Sequence, residues 1–231
     1  MIDRWKHLRQ GLFRNVELDV RLMATMQPEP EYVGKFTTES LPGFVARRSH
    51  ESPSTYAGDI ELNRFMRKNK HTTPSEFAAF AFDVNGITKS LQTQWVRQRI
   101  GVTWVFRSTR FVPAGQNQFV YCTYDYIDDE EKVRQLLAID EWHAMRAVED
   151  FPKKMALGCK KQDGRKIMPV EFNTPCYFKA NTQSLRHFFE LRFAQDAEWE
   201  IRRLAKAIFE LAYKKAPSLF EDFLELARQE F

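Results

Sequence analysis

Two periods organise the apolar and polar positions of this chain. Ile60, Leu62, Phe65 and Met66 recur at helical spacing, which predicts a helix from Asp59, as its N-cap, through Asn69. Thr73-Pro74-Ser75-Glu76 then has the form of a capping box with proline at the first helical position. That turn is short, because Phe80, Phe82 and Val84 alternate with small or polar residues, the period of a strand. Gly86 ends the strand, and Ile87 to Val96 read as helix. Residues 100–111 read as strand, and Asp128 to Phe151 as a helix opened by an acidic first turn. After a basic turn, GCKKQDGRKIMP, the segment PCYFKA is a short strand. Asn181 is placed to cap a helix bearing Ser184 to Leu191, and Asp196–Tyr213 and Ser218–Arg228 are two further amphipathic helices. Residues 27–58 collect proline, serine and glycine and read as extended loop. The pattern predicts one α+β domain, richer in helix than in strand, with no linker to divide it.

Charge narrows the partners. The 35 basic and 31 acidic residues leave a net charge of +4, which fits a small anionic ligand better than a nucleic acid. Aromatics reach 14%, with 20 Phe, so flat-ligand stacking is available alongside core packing. No apolar run has the length of a membrane span, and the opening MIDRWKHLRQ has no signal-peptide core. Cys122, Cys159 and Cys176 are odd in number and widely spaced, without metal-type pairing. They predict buried or inert thiols, a reducing compartment and a cytoplasmic protein with no bound metal.

The segment RQRIGVTWVFRSTRF sets Arg97, Arg99, Arg107 and Arg110 among strand-forming residues. A solvated strand face is one reading, and a nucleic-acid groove with Trp104 and Phe106 as stacking platforms is a second. The third is convergence on a compact polyanion, since fixed guanidinium forks orient a nucleotide as well as bind it. The chain has no glycine-rich phosphate loop, so side chains would do much of the holding.

HTTPSEFAAFAF, QWVRQR and SLRHFFELRFAQDAEWEIRRLA, in that order and spacing, resemble the motifs of the flavin-dependent thymidylate synthases. Those are a His-x-x-Pro-x-Glu element leading to an aromatic strand, a Gln two residues ahead of an Arg-His-Arg triplet, and a late Leu-Arg before a Gln-Trp-Glu-Ile helix. The resemblance runs over roughly residues 59–111 and 165–213. It implies one domain over 1–231, with a mixed or antiparallel sheet flanked by long helices. It also implies a homotetramer with active sites between subunits, binding FAD, dUMP and methylene-tetrahydrofolate, with NADPH reducing the flavin. The activity implied is methylation of dUMP at C5 to give dTMP.

Carried over by position, the resemblance places Ser49, His71, Thr73, Glu76, Arg97, Gln98, Arg99, Asn181 and His187 at the flavin. Gln94, Ser108, Arg110, Arg165 and Arg192 fall at the substrate nucleotide, with Ser108 and Arg192 closest to the chemistry. The arginines are expected to divide, Arg97 and Arg99 to the flavin phosphates and Arg110, with Ser108 on the same strand face, to the nucleotide. Arg107 is expected to pair with an acidic residue. Read by themselves, Glu76 closes a capping box, His187 is a core histidine on an amphipathic helix, and Trp199 is core.

The sequence departs from the family pattern in places. Gln98 stands where the central His of the triplet is usual, GVTWVFRS replaces a run ending in Asn-Glu-x-Ser, and Gln183 and Asp196 replace Arg and His. Gln98 keeps hydrogen-bonding capacity and loses a titratable ring. Two alternatives therefore stand beside dTMP synthesis: a flavin enzyme modifying C5 of another pyrimidine nucleotide, hydroxymethylation included, and a non-catalytic flavin- or nucleotide-binding homologue. No cysteine adjoins a histidine to serve as a thiol nucleophile.

Overall fold

The computed structural model describes residues 3–108 and 118–228. The fold is α+β, with a four-stranded antiparallel sheet. The chain divides into two compact units. Met1–Asp19, Val84–Trp95 and Phe106–Cys176 form the first, and Val20–Asp83, Val96–Val105 and Tyr177–Phe231 the second.

The first unit holds helices α1 (Lys6–Arg9), α4 (Lys89–Trp95), α5 (Glu130–Ala156) and α6 (Lys161–Gly164). On α5, Val133, Leu137 and Ala144 share one face, and they bury it with Trp5, Phe119, Tyr121 and Phe172. Asp129 caps this helix, accepting from the amides of Glu131 and Lys132 at 3.0 and 3.2 Å. Expected to end at Phe151, α5 instead continues through Pro152 to Ala156. A proline removes one backbone donor, and here the helix runs on for four residues past it. Gly86 has φ +76°, and a Cβ there would lie 2.1 Å from the Glu17 carbonyl oxygen, so only glycine fits the turn. The Asn173 side chain secures that turn by accepting from the amides of Gly86 and Ile87 at 3.1 and 3.3 Å.

The second unit carries most of the sheet, ordered β1-β2-β4-β3 from strands Asp19–Thr25 (β1), Ala79–Asn85 (β2), Val102–Phe106 (β3) and Cys176–Asn181 (β4). Alternation places Phe80, Phe82 and Val84 of β2 fully in the interior, as the pattern predicts. Helices α2 (Leu41–Ala46), α3 (Tyr56–Lys68), α7 (Thr182–Arg192), α8 (Trp199–Lys215) and α9 (Leu224–Arg228) complete this unit. Its core is aromatic. Phe189 of α7 meets Phe209, Phe220 and Phe223 with ring centroids 5.5–5.7 Å apart, and Phe178 stacks on Phe82 and Trp104. Each such pair contributes about 0.5–1.5 kcal/mol beyond the area it buries.

Several expectations change. Residues 27–58 are not all loop, since α2 forms with Pro42 in its first turn, where a missing N–H costs nothing. Asp59 is not an N-cap: Thr55 accepts from Gly58 N and starts α3, leaving Asp59 one turn inside and fully buried. Thr73–Glu76 is a 3-10 turn with no side-chain cap bond, so the capping box is not made. The helix expected over 87–96 is Lys89–Trp95, and the strand expected over 100–111 is Val102–Phe106 among the described residues. Glu198, rather than Asp196, starts α8, by accepting from Ile201 N. The segment from Ser218 is two 3-10 turns before α9. Cys176 is buried, Cys122 and Cys159 are half-buried, and none of the three is in a disulfide.

Candidate functional site

In the second unit the triplet loop is fastened to the start of α7. Asn181 caps α7 by accepting from Ser184 N at 2.8 Å, and its own amide donates to the Gly101 carbonyl at 3.1 Å. The Ser184 hydroxyl donates to Ile100 O at 2.7 Å, and Gln98 Nε2 donates to Ser184 O at 2.7 Å. Gly101, at φ +69°, permits this approach, because a Cβ would sit 2.2 Å from Ser184 Oγ. The result is a short loop whose middle residue is tethered and whose flanking Arg97 and Arg99 are exposed. Both lie beyond the end of α4. Gln98 Oε1 is buried and has no partner among the described residues, an unsatisfied acceptor of the kind a bound group would complete.

His71 lines two clefts of the same unit. One, of about 470 Å³, is also lined by Arg47, Ser49, His50 and Thr73. The other, of about 390 Å³, is lined by Gln183, Arg186 and Glu190 as well. Ser49, His71 and Thr73, far apart in sequence, thus share one cleft, whereas Glu76 is exposed and lines neither. Sequence reading missed Arg47. Its Nε is paired with the buried carboxylate of Asp59, which also accepts from Ser54 Oγ at 2.5 Å. No local signal marked this pairing, because Asp59 reads as a cap by itself and Arg47 lies twelve residues away.

His187 is exposed on α7, 3.9 Å from Glu190, so it is not a core histidine. Trp199 is half-buried, with Arg203 over its ring at 5.6 Å, and is not core. Arg192 ends α7, about 15 Å along the axis from Thr182, so the helix holds it well apart from the triplet loop. Its Nε is buried without a partner among the described residues, and burial lowers its pKa, although a guanidinium stays charged.

The first unit contains the remaining candidates. Gln94 lies on α4 with Oε1 buried and, among the described residues, unpartnered. Arg165 is exposed in the 3-10 turn Arg165–Ile167. Ser108 is exposed and lies beyond the end of β3, so the shared strand face expected for Ser108 and Arg110 does not reach Ser108. Arg110 lies outside the described residues. Among the described residues Arg107 has no acidic partner. It donates to Asn173 O at 2.8 Å, and burial lowers its pKa.

The chain matches the model of the family described as "Thymidylate synthase complementing protein" over residues 24–218. Among curated relatives, the flavin-dependent thymidylate synthase of Geobacter sulfurreducens is 31% identical over 153 residues, 66% of this chain and 64% of that protein. Its counterpart from Clostridium tetani is 29% identical over 177 residues, 70% of each chain. That of Thermus thermophilus is 27% identical over 197 residues, 78% of this chain and 70% of that protein. The chain thus spans about two thirds of the length of these relatives. Since the family model covers most of the sequence, including the triplet loop, the His71 turn and the Asn181 cap, the chain belongs to the flavin-dependent thymidylate synthase family.

Proposed function

We propose that this protein is an FAD-dependent transferase that methylates dUMP at C5, using the carbon of methylene-tetrahydrofolate and reducing equivalents from NADPH. The observation that carries the reading is the fastened Arg97-Gln98-Arg99 loop, a pair of exposed guanidinium forks on a support that cannot swing freely. Such forks suit the pyrophosphate of a dinucleotide. The buried orphan Gln98 Oε1 and the Ser49–His71–Thr73 cleft are consistent with a polar flat ligand bearing N–H and O–H donors, so the residues present fit FAD.

FAD, when bound, supplies the hydride that completes the new methyl group. The protein's own part is binding and charge placement. Arg97 and Arg99 hold flavin phosphates, His71, Thr73 and Ser49 line the flavin cleft, and Asn181 keeps the loop in place. Gln94, Ser108, Arg110 and Arg165 bind the nucleotide. Arg192, half-buried at the end of a rigid helix, stabilises negative charge developing on the pyrimidine oxygens. Residues 1–231 act as one synthase-like domain, a reading supported by a family match that runs through segments of both compact units. The working assembly is a homotetramer in the cytoplasm.

The test is spectroscopic. Purified protein is expected to be yellow, to elute as a tetramer, and to shift its flavin absorbance on addition of dUMP. Incubation with methylene-tetrahydrofolate and NADPH should then yield dTMP. A response to another pyrimidine nucleotide, or a hydroxymethyl product, would replace the dTMP reading with the alternative that the absent Asn-Glu pair ahead of Ser108 already motivates. A colourless protein unable to take up FAD would overturn both.

A further inference from the structure

Lys89 is a cation that neither the motifs nor the triplet loop explains. It opens α4, where its amide donates to Phe172 O at 3.2 Å and the next amide, Ser90, donates to Val170 O at 3.3 Å. Those carbonyls belong to a stretch folded as two consecutive turns, closed by Met168 N to Arg165 O at 3.1 Å and Phe172 N to Pro169 O at 3.2 Å. Backbone bonds therefore fasten the Lys89 position to the segment that begins at Arg165.

The side chain is held as well. Lys89 Nζ donates to Gln92 Oε1 at 2.6 Å, and the same oxygen accepts from Thr174 Oγ at 3.3 Å. An ammonium has three donors, so two stay available after the bond to Gln92. A long flexible lysine normally extends to put its charge in water. This one is half-buried, and among the described residues the charged group that acts on it is the like-charged Arg165. Burial first, and then Arg165, hold its pKa below the ordinary lysine value. An ammonium point charge and a guanidinium fork, carried on segments that backbone bonds fasten together, are a donor set suited to a phosphate.

We infer that Lys89, oriented by Gln92, is a second cationic contact for the phosphate of the substrate nucleotide, acting with Arg165. The inference rests on the proposed assignment of Arg165 to the nucleotide. Lys89 is then a determinant of affinity for the phosphorylated substrate, and Gln92 is a positioning residue that acts through it.

The experiment is calorimetric titration of the FAD-loaded full chain with dUMP and, separately, with inorganic phosphate. Wild type is compared with Lys89→Met and Lys89→Arg. Lys89→Met should weaken dUMP binding by about tenfold or more, while Lys89→Arg keeps most of the affinity. Flavin content and thermal midpoint should match wild type in both, which a merely structural role for Lys89 would not allow. Inorganic phosphate should compete with dUMP in wild type and lose most of that effect in Lys89→Met. If the methionine variant does not fold, Lys89→Gln removes the charge while keeping a donor and is read in the same way. A charge-removing variant that folds and binds dUMP within about twofold of wild type would overturn the inference. If wild type binds phosphate in a Lys89-dependent way but does not bind dUMP, the anion seat stands and the nucleotide assignment falls.

Discussion

Gly101 sits where the triplet loop meets the start of α7, with no room for a side chain. A Cβ there would overlap Ser184 Oγ and come within 2.5 Å of Asn181 Nδ2, and the residue's φ of +69° is disfavoured for side chains in any case. Gly101→Ala should therefore lower stability by more than about 1 kcal/mol and release the triplet loop. Thermal melting together with the flavin-to-protein absorbance ratio reads both effects; an unchanged ratio would separate the loop from flavin binding. Arg192 makes a different prediction. Its half-buried guanidinium has no partner at Nε among the described residues, which suits a group reserved for a ligand. Arg192→Ala should cost about 2–5 kcal/mol of nucleotide binding and leave FAD content near wild type. Equal dUMP affinity by calorimetry would refute the role.

Among the elements, α7 has the most to do. Its N-terminus holds the triplet loop, its inner face supplies Leu185, Phe188 and Phe189 to the aromatic core, and its last residue is Arg192. Correct placement of either end depends on the helix being rigid throughout. Asn181→Ala removes the cap on Ser184 N and should cost about 1 kcal/mol of stability, visible as a lower urea midpoint with an unchanged slope. Because the hydrogen bond that Asn181 donates to the Gly101 carbonyl comes from its backbone N–H, it survives the substitution. Flavin affinity should fall by less than in Gly101→Ala, and a larger loss would mean that the Asn181 side chain itself meets the flavin.

At the scale of the molecule, the last residues of the second unit are tied in by charge. Glu221 accepts from Arg64 at 2.8 Å and from Arg67 at 2.8 Å, and Asp222 accepts from Arg186 at 2.6 Å. Arg67 and Arg186 both line the smaller His71 cleft, so the network also shapes a candidate binding surface. The hydrogen bond from Arg64, reinforced by Arg67 against the opposing effect of burial, pulls the Glu221 pKa down to about 2 from an ordinary 4.5. A depressed carboxylate stabilises the fold above its unfolded-state value, and that contribution is lost as pH falls from about 4.5 towards 2. Solvent screening at this partly exposed site reduces the effect to the order of 1 kcal/mol. Glu221→Gln should therefore be less stable than wild type at neutral pH, and the gap in thermal midpoint should close on acidification through that window. A gap that stays constant down to pH ~3 would contradict the assignment.

The sequence alone determined those features that depend on local period and local chemistry. Alternating Phe80, Phe82 and Val84 could only be a strand with one buried face, and Asn181 ahead of an apolar period could be read as a cap because its partner is three residues away. The order and spacing of the motifs likewise made the family legible before any packing was known. Long-range contacts were not legible. Asp59 looks like a cap until Arg47, twelve residues back, is placed against it, and Arg107 looks ready for a carboxylate until the Asn173 carbonyl, 66 residues on, takes its proton donor. Lys89 was unremarked because its significance lies in Arg165, which backbone turns bring near it although 76 residues separate the two. In each case sequence specifies the charge, and only the tertiary structure decides what that charge faces and how much water remains between them.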